Sequence, residues 1–181
     1  MSDFESVYAQ TRPQVFAYLL RRARSSADAA DALAETYTVA WRRRDDMPMD
    51  DKSLPWLLGV ARRVLANQSR SERRRSALRD RLRAELLIQA DAALQVPSDG
   101  HLDEAIANGM KRLSCSDQEI LTLVSWEQLD RAEIAIVLGC SAASVRVRLH
   151  RARQRLVKHL AAEGITAATH LPSAQRIRES S

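Results

Sequence analysis

The stretch LDRAEIAIVLGCSAASVRVRLHRARQRL, residues 129–156, predicts two helices joined by a tight turn. Asp130 followed by Glu133 forms a capping box that starts the first helix. Gly139 ends that helix, because glycine adopts the left-handed conformation at no steric cost. Ser141 then caps the second helix. This pattern is typical of a helix-turn-helix, whose second helix enters the major groove of DNA.

The second helix of this unit separates apolar from basic residues. Its predicted buried side carries Val145, Leu149, Ala152 and Leu156. Its predicted outer side carries Ser144, Arg146, Arg148, Arg151 and Arg153. No acidic residue occurs between residues 134 and 162, and a surface of one sign suits contacts with phosphates and guanine edges. We interpret this second helix as one that contacts the bases of DNA. The alternative is a helix of a bundle whose basic face contacts only solvent.

The composition favours an all-α protein. The 181 residues include 45% hydrophobic but only 4% aromatic residues, and five Gly and five Pro are too few for the turns of an all-β fold. The net charge is +5, and the clustering of the cations is stronger evidence for a nucleic-acid partner than the total. Cys115 and Cys140 have no His or Cys at metal-ligand spacing, so no metal or cofactor is expected. No apolar run resembles a signal peptide or membrane span, which predicts a cytoplasmic protein.

Residues 3–44 predict two amphipathic helices. The first spans residues 3–24 and is interrupted or kinked near Pro13, and the second spans about 27–44 after a cap at Ser26 or Asp28. The second helix is expected to bury Leu33, Tyr37, Ala40 and Trp41. Its other face carries the acidic residues Asp28, Asp31 and Glu35. Compensation of the helix dipole would be enough to explain that acidic edge.

A polar loop over residues 45–52 precedes a third helix. Ser53 is expected to cap this helix, with Pro55 in the first turn, where the missing N–H costs nothing. The predicted buried face comprises Trp56, Leu57, Val60, Ala61, Val64 and Leu65. From Arg62 onward the helix becomes strongly basic. A basic helix that begins with aromatic and apolar residues is suited to binding a nucleic-acid strand with unpaired bases. The alternative is that the basic residues of this helix form a face that contacts only solvent.

Residues 79–100 predict a linker, because the basic residues stop after Arg83 and a turn cluster, PSDG, occupies residues 97–100. The linker separates a domain over residues 1–78 from one over residues 101–161, which a flexible tail follows at 162–181. In the second domain, Ser116 and Glu119 predict another capping box. The side chains expected on buried faces there are Ile106, Met110, Leu113, Ile120, Leu121, Val124 and Trp126.

Three segments together resemble the RNA polymerase sigma factors of the extracytoplasmic-function group, which contain only regions 2 and 4. DAADALAETYTVAW (residues 28–41) resembles the region 2 helix that binds the clamp helices of the polymerase β′ subunit. PWLLGVARRVLANQSRSERRR (residues 55–75) resembles the helix that melts and reads the −10 element. LSCSDQEILTLVSWEQLDRAEIAIVLGCSAASVRVRLHRARQRL (residues 113–156) resembles region 4, which reads the −35 element. The resemblance implies two small helical domains joined by a linker.

The resemblance also implies a function and its residues. It implies a promoter-specificity subunit that binds core RNA polymerase through the β′ clamp helices and the β flap and helps to open promoter DNA. It implies no catalytic activity and no cofactor. An anti-sigma factor is a further partner of this group. It assigns the β′ contact to Asp31, Glu35, Thr36 and Val39. It assigns the −10 element to the loop over residues 45–53, which would hold a flipped base, and to Trp56, Arg62, Arg63, Asn67 and Arg70. It assigns the −35 element to Ser144, Arg146, Arg148, His150, Arg151 and Arg153.

Four positions depart from the family pattern. Ala34 stands where Gln is common and Arg63 where Asn is common. Val147 and His150 replace a frequent Ser and a frequent aromatic residue. These departures leave the promoter sequence open.

Two other functions explain part of the sequence. A transcription regulator with an unrelated helical sensor would account for the helix-turn-helix but not for the second basic helix. An enzyme would require a nucleophile–base pair, paired carboxylates or a Gly-rich phosphate loop, and the sequence suggests none of them. The aspartates within residues 45–51 do not match the spacing of a calcium loop.

Overall fold

The computed structural model describes residues 3–83 and 101–162, with side chains described over residues 4–71 and 105–162. Within these ranges the chain forms seven α-helices, one short 3-10 helix and no strand, which confirms the all-α prediction. Most of the predicted linker and tail lies outside the described residues. The predicted domain boundary at residue 78 falls within the third helix.

The N-terminal unit consists of α1 (Asp3–Leu20), α2 (Ser26–Arg42) and α3 (Ser53–Arg83), with a 3-10 helix at Arg44–Asp46. α1 continues through Pro13, so the predicted interruption is wrong. Ser25, rather than Ser26 or Asp28, caps α2, because Ser25 has the extended backbone that a cap requires. Its Oγ accepts the backbone N–H of Asp28 at 3.0 Å.

Ser53 does not cap α3, contrary to the prediction. It lies in the first turn of the helix, and its hydroxyl donates to the backbone carbonyls of Pro48 at 2.6 Å and Asp50 at 2.7 Å. The nearly buried Ser53 therefore fastens the preceding loop to the start of α3. Pro55 follows in the first turn as predicted, and its side chain is fully buried.

The C-terminal unit consists of α4 (His101–Lys111), α5 (Cys115–Ser125), α6 (Arg131–Leu138) and α7 (Ala142–Ala162). Ser114 caps α5, since its Oγ accepts the backbone N–H of Asp117 at 3.2 Å. The predicted capping box at Ser116 and Glu119 is therefore wrong, and both residues lie within α5. α4 packs closely on α7, because Gly109 leaves room for the side chains of Leu156 and Leu160.

Two tryptophans predicted to be buried are exposed. Trp41 is 51% exposed, and its ring meets the ring of Phe4 edge-on with centroids 5.1 Å apart. Trp126 is 52% exposed at the end of α5. Ile106, also predicted to be buried, is 39% exposed. The other positions of these apolar faces are buried or half-buried, and the core extends further than predicted, with Leu58 and Leu123 fully buried.

The two units share one core. Buried apolar residues form a continuous cluster from α1, α2 and α3 into α5, α6 and α7. α3 packs against α2 on one side and against α6 on another. This packing decides which parts of α3 remain accessible.

Tyr18 lies in this shared core with its hydroxyl buried and without a hydrogen-bond partner among the described residues. Burial raises its pKa to about 12, because the phenolate would lose its hydration. The pKa of Tyr18 is higher in the folded protein than the unfolded value of 10.0. The contribution of this group to the free energy of unfolding is therefore fully present below pH 10, and it is lost as the pH rises through 12. A shift of this size corresponds to about 3 kcal/mol in the free energy of unfolding.

We therefore expect urea unfolding to show a marked loss of stability between pH 10 and pH 12. Tyr18→Phe should lose less over the same range, because it has no proton to release. At pH 8 the variant should be at least as stable as the parent, since removing an unpartnered buried hydroxyl removes its desolvation penalty. A parallel decline of both proteins above pH 10 would contradict this assignment.

Candidate nucleic-acid interface

The turn between α6 and α7 has the predicted geometry. Asp130 and Glu133 form the capping box, with the Asp130 carboxylate accepting the Glu133 backbone N–H at 2.8 Å and the Glu133 carboxylate accepting the Asp130 N–H at 2.7 Å. Gly139 ends α6 in the left-handed conformation, with φ +64. Ser141 accepts the backbone N–H of Ser144 at 3.2 Å and so caps α7. These local bonds fix the direction in which α7 leaves the turn.

α7 buries one face and exposes a cationic one. Val145 and Ala152 are fully buried and Leu149 nearly so, which anchors the helix to the core. Several side chains predicted for the −35 element lie on the exposed face: Arg146, Arg148, His150, Arg151 and Arg153. None of these arginines forms a salt bridge within the described part of the chain. Their guanidinium groups are therefore available to an anionic ligand.

Two members of the α7 surface have intramolecular roles. Ser144 is half-buried, and its hydroxyl lies 2.9 Å from that of Ser141 in the cap. Arg155 donates to the Asp117 carboxylate at 2.6 Å, which ties α7 to the start of α5. Sequence analysis missed the Asp117–Arg155 pair, because the two residues are 38 positions apart and carry no shared motif.

α3 presents a second row of polar and aromatic side chains. Trp56, Arg63, Asn67 and Arg70 are spaced by seven, four and three residues and therefore share one side of the helix. Trp56 is half-buried, with the Arg43 guanidinium 5.8 Å from its ring centroid, whereas the other three are exposed. The Asn67 side chain accepts a hydrogen bond from Arg70 at 2.7 Å. We call these four residues, together with Gly59 between them, the α3 stripe.

Arg62, the fifth residue predicted for the −10 element, differs from the α3 stripe. It donates two hydrogen bonds to the Glu119 carboxylate, from Nε at 2.6 Å and from the terminal nitrogen at 3.1 Å. This bonding raises the pKa of the Arg62 guanidinium above its usual value. Arg62 is therefore occupied by a residue of the C-terminal unit.

The loop before α3 is compact. Asp50 accepts the backbone N–H of Lys52 at 3.0 Å through its side chain, and Ser53 holds the carbonyls of the same loop. Met47 is buried beneath the loop, whereas Met49 is 51% exposed at its surface. Met49 thus presents an apolar side chain at the surface of a hydrogen-bonded loop, next to the start of the α3 stripe.

The acidic edge of α2 is accessible in part. Asp31 and Glu35 are exposed, and Glu35 accepts a weak hydrogen bond from Gln68 at 3.4 Å. Val39 is half-buried. Thr36 is fully buried, and its hydroxyl donates to the Ala32 carbonyl at 2.6 Å. The burial of Thr36 argues against the contact that was predicted for it.

Comparisons with known proteins connect these surfaces to a family. The Sigma-70 region 2 family matches residues 7–75, and the family Sigma-70, region 4 matches residues 103–156. The RNA polymerase sigma-E factor of Streptomyces coelicolor is 32% identical over 174 residues, which cover 91% of this chain and 90% of that protein. The chain is an RNA polymerase sigma factor of the extracytoplasmic-function group.

Another relative agrees with this assignment, and two solved structures share the fold. The sigma factor CarQ of Myxococcus xanthus is 28% identical over 153 residues, covering 84% of this chain and 86% of that protein. The fold resembles sigma factor RpoE of Bartonella quintana in complex with the anti-sigma factor NepR, with a TM-score of 0.60, 22% identity and coverage of 89% and 98%. It also resembles CnrH in complex with the cytosolic domain of CnrY, with a TM-score of 0.57, 20% identity and 88% coverage of each chain.

The family determines what the sigma factor does. It is a promoter-specificity subunit that binds core RNA polymerase and promoter DNA in transcription initiation. A regulator with an unrelated sensor domain is excluded, because region 2 of the family accounts for most of the N-terminal half.

The described ranges also answer whether the sigma factor has a metal site, paired cysteines or a membrane-spanning helix there. They contain no group of three or more His, Cys, Asp or Glu side chains arranged to bind a metal ion. Both cysteines are free: Cys115 is exposed and Cys140 is half-buried in the helix-turn-helix. No helix within these ranges is both long enough and apolar enough to cross a membrane.

Proposed function

We propose that α7 reads the −35 element, that the α3 stripe and the loop before it bind the melted −10 strand, and that the acidic edge of α2 binds the polymerase β′ clamp helices. The observation that carries this proposal is the exposure of two cationic helix surfaces on separate units, with an acidic surface on a third helix. Polymerisation belongs to the polymerase, and we assign this sigma factor no catalytic residue.

The −35 contacts follow from the exposed face of α7. Arg146, Arg148 and Arg151 lie within the first half of the helix, which is the part that a helix-turn-helix inserts into the major groove. Arginine reads guanine through two hydrogen bonds, to O6 and N7, and its alternative contact is a phosphate. His150 and Arg153 lie further along the same exposed face. Ser144 contributes through the first turn, although its hydroxyl already takes part in the cap.

The −10 contacts follow from the α3 stripe. Half-buried Trp56 offers an aromatic face for stacking, and exposed Arg63 and Arg70 offer cations to the strand backbone. Asn67 provides both a donor and an acceptor for a base edge. The exposed side chain of Met49 in the adjacent loop supplies an apolar surface for a base taken out of the stack. Arg62 joins this set only when it leaves Glu119.

A footprint of the holoenzyme on one of its own promoters tests this division of roles. Arg63→Ala and Arg70→Ala should reduce permanganate reactivity of thymines in the −10 region while DNase protection at the −35 element persists. Arg151→Ala should instead weaken protection at the −35 element. Loss of both signals together in every variant would contradict the division.

We also propose that core polymerase binding depends on Asp31 and Glu35. Both carboxylates are exposed on one side of α2, and Val39 lies further along the helix as a half-buried apolar contact. Thr36 is left out of this surface because it is fully buried. A further contact, between the C-terminal unit and the β flap, is proposed from the family alone.

Reversal of charge at Glu35 should weaken the complex with core polymerase. The exposed carboxylates of α2 suit a cationic partner surface, and placing like charges together at an interface costs several kcal/mol, so we expect Glu35→Lys to lower affinity by at least about tenfold. Glu5→Lys is the matched control, because Glu5 is exposed on α1 and carries the same charge. Fluorescence anisotropy of labelled sigma factor titrated with core polymerase measures both. Equal affinities for the two variants would contradict a role for Glu35.

An anti-sigma factor is the remaining proposed partner. Sigma factor RpoE of Bartonella quintana, which has the same fold, was solved in complex with the anti-sigma factor NepR. For this sigma factor we propose a partner of the same kind, which would compete with core polymerase.

A further inference from the structure

The middle of the exposed face of α7 is apolar. Val145 is fully buried, and successive residues of an α-helix are turned by about 100° around its axis. Val147 is therefore turned by about 200° from Val145, so its side chain points away from the core, and it is 43% exposed. A residue opposite the buried side is the one that reaches furthest into a groove that the helix enters.

Arginines surround this valine. Arg146 and Arg148 adjoin Val147 in the chain, Arg151 follows it by one turn, and all three are exposed. Ala143, which is also exposed, precedes Val147 by one turn. We call Ala143 and Val147 the apolar strip of α7. The guanidinium groups favour contact with a polyanion, and a favourable contact for the strip then requires an apolar group in the middle of that surface.

The major groove of DNA provides one such group. All four bases present hydrogen-bonding groups there, and thymine alone adds a methyl group, at C5. A valine side chain neither donates nor accepts a hydrogen bond, so it cannot pair with a guanine or adenine edge or with a phosphate. Small apolar side chains instead read a base by packing against the thymine methyl group. The chemistry of Val147 therefore selects thymine among the four bases.

A second exposed valine of α7 provides a comparison. Val157 is 53% exposed, but it lies ten residues, or about 15 Å, further along the helix axis. A helix-turn-helix inserts the first part of its second helix into the major groove, so Val147 lies in the inserted part and Val157 beyond it. The two valines share their chemistry and differ in their position along the helix.

We propose that Val147 is a specificity-determining residue, which packs against the methyl group of a thymine in the −35 element and so makes that thymine part of the promoter sequence. Ala143 lies beside it and extends the apolar contact by one turn. The arginines around the strip supply the contacts to phosphates and guanine edges. This inference rests on the proposed −35 role of α7, and it adds the chemical group that the centre of the helix face recognises.

Replacement of thymine by deoxyuridine tests the contact, because deoxyuridine lacks only the C5 methyl group. Each thymine of the −35 region, on either strand of a promoter that the sigma factor uses, is replaced in turn. Titration of these promoters with holoenzyme, followed by DNase footprinting, measures the affinity. We expect the affinity to fall about fourfold at one thymine or at two adjacent ones, the effect of losing one buried methyl group, and to stay unchanged elsewhere.

Val147→Ser removes both methyl groups of the side chain. Its holoenzyme should bind the thymine and deoxyuridine promoters equally at the position where the parent distinguishes them. Val157→Ser makes the same change at the other exposed valine and should keep the fourfold preference. The slope of affinity against salt concentration should be the same for the parent and both variants, because neither substitution removes a phosphate contact. A changed slope in Val147→Ser would show that α7 has moved on the DNA and would contradict a contact limited to the methyl group.

A scrambled −35 element in the same promoter separates this inference from the proposed function. If scrambling lowers the affinity but no deoxyuridine does, the methyl contact is overturned while the −35 role of α7 stands. A fourfold preference that persists in Val147→Ser, or that Val157→Ser also abolishes, would likewise overturn the role of Val147. If scrambling has no effect on the affinity, the proposed −35 role of α7 fails, and the inference fails with it.

Discussion

Replacing Arg148 with alanine should lower initiation from promoters with an intact −35 element by about 5- to 150-fold, because one bidentate arginine–guanine pair contributes about 1–3 kcal/mol of discrimination. Arg148 is exposed on α7 and forms no salt bridge within the described residues, so its removal leaves no partner unpaired inside the protein. Binding to core polymerase should be unchanged, because the proposed β′ contact lies on α2 and Arg148 is not among the residues proposed to bind polymerase. Run-off transcription and gel filtration with core polymerase measure the two properties separately.

The control for Arg148 is Arg12→Ala. Arg12 is exposed on α1 and outside every surface proposed for DNA, so its loss changes the net charge equally without removing a base contact. We expect its effect on initiation to be small. Equal losses of polymerase binding and initiation in Arg148→Ala, or equal effects of the two variants, would contradict a role for Arg148 at the −35 element.

Ile134→Ala should have the largest effect on stability, with a loss of about 2–5 kcal/mol in the free energy of unfolding. Ile134 is fully buried in α6, where it joins the helix-turn-helix to the shared core. Truncation removes apolar contact and leaves a cavity that the surrounding helices fill only in part. For a chain of this length, each kcal/mol lowers the melting temperature by roughly 2–4 °C, so calorimetry should detect the change easily.

Val157→Ala is the control for Ile134. Val157 lies on the exposed side of α7 with 53% of its surface accessible, and truncation there should change stability by no more than about 0.5 kcal/mol. If the two truncations lower the melting temperature equally, the burial assigned to Ile134 is wrong. Loss of DNA binding without loss of stability in Ile134→Ala would contradict the same assignment.

The sequence predicts local structure well where neighbouring residues determine it. The capping box at Asp130 and Glu133, the left-handed Gly139 and the buried Val145 all depend on residues within one or two turns. Helical periodicity also identifies most of the core. The helix-turn-helix and its exposed cations could therefore be predicted before the structure was known.

Helical periodicity predicts burial wrongly where no neighbouring element covers the apolar face of a helix. Trp41 and Trp126 occupy apolar positions of their helices, yet each lies at the edge of the packed surface and is about half exposed. Thr36 shows the reverse, because a small polar side chain can be buried once its hydroxyl bonds to the Ala32 carbonyl. Ser116 does not cap α5 because Ser114, two residues earlier, accepts the backbone N–H of Asp117, and Ser53 does not cap α3 because its hydroxyl bonds to carbonyls of the preceding loop.

Contacts between the two units have no signature in the sequence. Arg62 and Glu119 are 57 positions apart, and Arg22 and Glu127 are 105 apart, so no helical spacing relates them. The resemblance to the sigma factor family assigns Arg62 to the −10 element. Only the folded structure reveals that Arg62 is already paired with Glu119 of α5.

The most direct test of the central claim is gel filtration of the protein with sigma-free core polymerase, followed by mapping of transcripts from a library of genomic fragments. We expect co-elution and a set of discrete start sites that core polymerase alone does not produce, preceded by shared sequences near −10 and −35. Absence of co-elution, or start sites that match those of core polymerase alone, would contradict a promoter-specificity subunit.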